Sequence, residues 1–144
     1  MIESDTIKLL RECDAGIKMG VTSIVDVLDR VKSPELKQLL HVCKDKHDEL
    51  DKELQQLLGR YEDEGKDPGF MAETMAKMKT EMKWHMEPND HMIADLMTDG
   101  CNMGVKSLNK YLNQYTAADE KSKDITKRLI NLEGQLALDM RKFL

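Results

Sequence analysis

Aromatic side chains are scarce in this chain: one tryptophan, three tyrosines and two phenylalanines make up 4% of 144 residues. With 40% hydrophobic and 34% charged residues of both signs interspersed, that shortage suits aliphatic helix packing and argues against a β-sandwich. No stretch alternates polar and apolar residues over a strand's length with hairpin signals at its ends. Only three prolines interrupt the chain. The three cysteines, Cys13, Cys43 and Cys101, are odd in number, far apart and without C-x-x-C spacing, which excludes a zinc ribbon or a redox pair and leaves reduced, core-filling thiols. No run approaches the roughly 18 to 20 apolar residues of a membrane span, and MIESDTIKLL lacks the basic-then-apolar layout of a signal peptide, so the expected location is cytoplasmic. A net charge of −5 supplies no broad basic surface for phosphates; neither nucleic acid nor an acidic membrane is an expected partner. A glycine-rich phosphate loop, G-x-S-x-G and H-E-x-x-H are all missing, so no enzyme class is indicated.

What the sequence does contain is helical rhythm. Ile7, Leu10, Asp14, Ile17, Val21, Ile24, Leu28 and Val31 recur at alternating three- and four-residue steps, predicting a first helix over about residues 5 to 31 with Ser4 or Asp5 as its cap. Lys32-Ser33-Pro34-Glu35 then opens a second helix, with Ser33 as cap and Pro34 at the first helical position. So short a connection implies an antiparallel pair. The second seam runs through Leu36, Leu40, Cys43, His47, Leu50, Leu54, Leu57 and Tyr61, with an end near Gly59. EDEGKDPG at residues 62 to 69 breaks the rhythm and begins a longer crossing. Within it Met71, Met75, Met78, Met82 and Met86 mark a short amphipathic helix, stopped by Pro88-Asn89-Asp90.

A third helix is predicted over about residues 90 to 115, along Ile93, Met97, Gly100, Gly104, Leu108, Tyr111 and Tyr115. A fourth follows over about 119 to 142, along Ile125, Leu129, Leu132, Leu136, Met140 and Phe143, with Thr116 to Asp119 as a capping box. The whole chain, 1 to 144, reads as a single all-α domain, long enough to bury roughly two thirds of the surface its unfolded form exposes. Two antiparallel pairs joined by a long crossover that carries a helix of its own is the ferritin-like arrangement.

The segments CDAGIKMG, VKSPELKQLL and ELDKELQQLLG resemble a family of bacterial ferritin-like proteins without an established shared activity. The resemblance is best over residues 7 to 58 and implies a four-helix bundle akin to the di-iron carboxylate proteins. Their chemistry needs a carboxylate from each of two helices and a Glu-x-x-His from each of the other two. Here the first helix offers Asp14, and the second offers His47 with Lys44 three residues before it. The third presents glycines, with Asp99 beside the seam, and the fourth offers Glu133 with no histidine. Two or three donors in place of about six do not make a dinuclear centre.

Two readings follow. The first is a non-enzymatic structural or protein-interaction bundle without a cofactor, in which Asp14 and His47 are hydrogen-bonded core residues. Its methionine face, with Phe70 and Trp84 nearby, implies a homo-oligomer, a dimer first, and leaves room for an unidentified protein partner. The alternative is a transition-metal protein, with iron at Asp14, His47 and Glu133 or copper on the methionine-rich stretch, where His85, His91 and Asp95 add donors. With the turn centred near residue 33, Asp14 falls level with about Lys52, which puts His47 roughly 7 to 8 Å away along the axis. The dense charges of HDELDKE read as a solvated face with one-turn pairs such as Asp48 with Lys52.

Overall fold

The computed structural model describes residues 2–66 and 88–144, with side chains from residue 5 onward. Four helices pack against one another: α1 (Ile2–Leu28), α2 (Pro34–Arg60), α3 (Asp90–Gln114) and α4 (Glu120–Met140), followed by a 3-10 turn at Arg141–Phe143. No strand occurs among the described residues. Helices α1 and α4 each touch all three others. Arg11 meets Asp63, Asp14 meets Gln55, and Gly20 faces His47, so residue numbers on α1 and α2 run in opposite senses along their contact. The methionine helix expected between Met71 and Met86 lies outside the described residues.

Local chemistry sets the helix ends. Helix α1 starts at Ile2, ahead of the expected cap, and Asp5 instead accepts a hydrogen bond from the Ala117 backbone at 3.0 Å. It stops at Leu28, three residues before Val31, because Arg30 and Val31 turn back in three-residue hydrogen bonds to Val27 and Leu28. Ser33 caps α2 by accepting from the Leu36 N–H. The carboxylate of Asp90, at the start of α3, accepts from the Lys32 and Ser33 backbone at 2.8 Å each, tying the α1–α2 turn to α3. Asn89 caps α3 through Met92, and Asp119 alone caps α4 through Ser122; Thr116 takes no part.

Helix α2 runs one residue past Gly59 and closes with paired bonds from Glu62 to the Gly59 carbonyl and from Asp63 to the Leu58 carbonyl. In this closure the residue after the cap must adopt left-handed backbone, and here it is Glu62, at φ 53°. Glycine takes that conformation without a Cβ clash. The exposed substitution Glu62→Gly is therefore expected to stabilise the protein by about 0.5 to 1 kcal/mol, read as a raised urea midpoint with unchanged slope.

The residues of the expected seams are buried or half-buried with two exceptions, Tyr61 just past the end of α2 and Gly100 on α3, both exposed. On α3, Gly100 is exposed and Cys101 takes the inward place, so the seam runs Ile93, Met97, Cys101, Gly104, Leu108. Two apolar clusters result. One gathers Ile24, Leu36, Leu40, Cys43, Ile93, Cys101 and Leu136; the other gathers Leu10, Ile17, Leu50, Leu54, Leu108, Ile125 and Leu129. Each buried leucine or isoleucine contributes about 1.5 to 3 kcal/mol relative to exposure, and these clusters hold the bundle together.

Candidate functional site

Between the two clusters lies one polar layer, with one residue from each helix: Gly20, His47, Gly104 and Glu133. On α2, Cys43 belongs to one cluster and Leu50 to the other, with His47 between; on α4, Leu129 and Leu136 bracket Glu133 in the same way. The His47 side chain is wholly buried. Its Nδ1 lies 2.8 Å from the Cys43 carbonyl, and its Nε2 lies 2.8 Å from Glu133 Oε1.

A carbonyl can only accept, so Nδ1 carries a hydrogen and donates it. One further proton must then sit between Nε2 and Oε1, because two bare lone pairs at that distance would repel. Burial alone pushes the imidazole pKa down, but hydrogen bonding to the Cys43 sulfur, 3.6 Å from Nδ1, and to Glu133, together with the Glu133 charge, outweighs it and raises the value to about 10. The layer thus holds a protonated imidazole against a carboxylate, a pair with no net charge.

Gly20 makes room for it. A Cβ at position 20 would stand 2.7 Å from His47 Nε2 and 3.2 Å from Glu133 Oε1, whereas one at position 104 would make ordinary 3.7 Å contacts with Glu133. Close by, burial first and then the negative Glu133 carboxylate hold the Cys101 thiol far above its ordinary pKa. Burial likewise pushes Cys13 up to about 12, against a hydrogen bond with Thr126. Neither thiol is set up as a nucleophile.

Asp14 does something else. Its side chain is fully buried on the α1–α2 flank, where Oδ1 accepts from Gln55 Nε2 at 2.9 Å and Oδ2 accepts from Lys18 Nζ at 2.8 Å and the Lys66 backbone at 2.9 Å. The chain leaving α2 is strapped over it. Arg11 grips Asp63 through Nε and Nη2, and Lys66 pairs with Glu12 at 2.6 Å. Gly65, at φ +83°, presses so close that a methyl there would overlap the Asp14 carboxylate.

The residues singled out in the sequence therefore divide. His47 and Glu133 come together, while Asp14 does not join them and spends its oxygens on α1, α2 and the strap. His91 and Asp95 are exposed on α3, and His85 lies outside the described residues. Among the described residues, no group of three or more His, Cys, Asp or Glu side chains is arranged to hold a metal ion. No described helix is long and apolar enough to cross a membrane. Asp48 pairs with Lys44 at 2.9 Å in place of the expected Lys52.

Sequence reasoning missed Gly20, Gln55, Gly65 and Lys66, and it read Cys101 as a core-filling thiol without placing it on the α3 seam. A signal existed for one of them: Gly20 sits inside a long helix, where glycine costs about 1 kcal/mol and needs a packing reason. No protein-family model matches the chain, and neither a curated protein nor a solved structure matches it.

Proposed function

We propose that this chain is a ferritin-like bundle of two antiparallel helix pairs without an intact di-iron centre, acting through its surface as a non-enzymatic structural or protein-interaction protein. One observation carries the reading: the central layer, where metal ligands would converge in such a bundle, is filled by the closed His47–Glu133 pair and two glycines. Opposite-running numbers along the α1–α2 contact and the short turns support the antiparallel arrangement. Asp14 is fully engaged elsewhere.

The competing reading, a transition metal at His47 and Glu133, has one observation in its favour. A histidine whose Nδ1–H is held by a backbone carbonyl presents Nε2 as ligating histidines do. Thermal melts with added Fe(II), Zn(II) and Cu(I), together with the metal content of protein purified without chelators, separate the two. The expected result is substoichiometric metal and no shift in midpoint. A ligand bound by the native state alone at a hundredfold above its Kd would add about 2.7 kcal/mol, which such melts detect readily.

Self-association is part of the proposal, on the strength of the methionine face in the sequence. Light scattering behind size exclusion at tens of micromolar is expected to give twice the 16.5 kDa chain mass; a monomer would remove this part.

A further inference from the structure

The His47–Glu133 pair joins the α1–α2 helices to the α3–α4 helices across the middle of the core. Within each pair of helices a five-residue connection limits sliding, but the two pairs are joined to each other only through the long segment between Arg60 and Asp90. A connection that long does not by itself fix how far one pair lies along the other.

The apolar seams do not forbid it either. Moved by seven residues, about 10.5 Å at 1.5 Å per residue, α2 would bring Leu40 or Leu54 to the level of His47 and exchange Leu36 with Cys43, Cys43 with Leu50, and Leu50 with Leu57. On α4 the same step exchanges Ser122 with Leu129 and Leu129 with Leu136. Apart from Ser122, whose hydroxyl donates to the Asp119 carbonyl within its own segment, apolar layers would meet apolar layers again. The central layer is different: the slide would leave His47 and Glu133 each facing hydrocarbon, with a buried polar group and no partner.

Rim contacts such as Ala117 with Asp5 and Lys32 with Asp90 are exposed and can be exchanged for water, and the buried Cys13–Thr126 contact can be given up because Thr126 also bonds the Ser122 carbonyl of its own helix; the central pair has no such substitute. We propose that the His47–Glu133 pair is a register lock, present to select one alignment of the two helix pairs more than to stabilise it. This inference stands independently of the ferritin-like reading.

The test is the apolar double variant His47→Leu/Glu133→Leu, compared with wild type and with the neutral hydrogen-bonding double variant His47→Gln/Glu133→Gln. The apolar variant is expected to keep its helical circular dichroism and melt at or above the wild-type temperature. It should give more than one resonance per amide, or exchange-broadened amides, in 1H–15N spectra where wild type gives a single set. The Gln/Gln variant is expected to restore the single set. A uniquely folded apolar variant with the wild-type pattern would overturn the lock. An unfolded apolar variant would overturn it as well, since the pair would then be a stabilising element. A Gln/Gln variant as heterogeneous as the apolar one would show that pairing at this layer does not select the alignment.

Discussion

Replacing Glu133 by alanine is expected to lower the unfolding free energy by about 3 to 5 kcal/mol and the melting temperature by roughly 10 °C. The cost comes from what remains. His47 stays tethered through Nδ1–H to the Cys43 carbonyl, wholly buried, while Nε2 loses its partner. It must then either hold an uncompensated charge between two apolar clusters or give up the proton and leave a bare nitrogen there. Glu133→Gln keeps the volume and a hydrogen bond, and is expected to cost only about 1 kcal/mol near neutral pH.

The pH dependence separates these effects. Because folding raises the His47 pKa from its ordinary 6.5 to about 10, its contribution is fully present below 6.5. It declines above that value, as the unfolded chain sheds the proton that the folded chain keeps, and is gone above about 10. Urea unfolding at pH 6, 8 and 10 should therefore show wild type losing its advantage over Glu133→Gln as pH rises. Other groups titrating in this range affect both proteins and cancel in the comparison. A gap that stayed constant across the three pH values would mean that the folded chain does not retain this proton.

How far the sequence reveals this architecture depends on the range of each interaction. Three- and four-residue periodicity reports which face of a helix is buried, and Leu10, Ile17, Leu40, Leu54, Ile125 and Leu129 are buried as expected. The Ser33 cap was equally legible, because a cap acts over three residues. Interactions between distant segments were not. His47 and Glu133 are 86 residues apart and meet only because four seams converge. Side-chain reach shows the same limit: counting from the turn places Asp14 level with about Lys52, whereas the side chain that reaches its carboxylate is that of Gln55.

The third seam failed for a steric reason. Gly100 and Cys101 are adjacent and both compatible with burial, and only the packing against Cys43 and Leu136 places the thiol inward. Asp14 was legible as a buried acid satisfied by neighbours, but its partners were not, because Lys66 offers a backbone group that carries no sequence signature.

The strap over Asp14 leads to the second large effect. Asp14→Ala removes a fully buried carboxylate that receives hydrogen bonds from Gln55, Lys18 and the Lys66 backbone, and is expected to cost about 2 to 3 kcal/mol. Gly65→Ala is expected to cost a similar amount by a different route, combining left-handed backbone at φ +83° with a methyl group driven into the Asp14 carboxylate. Both substitutions act on one contact, so they should not add. Once Asp14 is alanine, the methyl at position 65 no longer meets a carboxylate, and only the backbone strain remains. The double variant is therefore expected to fall short of the summed single effects by about 1 kcal/mol or more in urea unfolding. Arg11 and Asp63 hold the same strap from its other side, yet their pair is half open to water and gains little from the buried carboxylate. Arg11→Ala should cost less than 1 kcal/mol and add to Asp14→Ala. If Asp14→Ala and Gly65→Ala proved additive while Arg11→Ala cost as much as either, the strap would be held by its surface ion pair, and the buried carboxylate would have no special part in it.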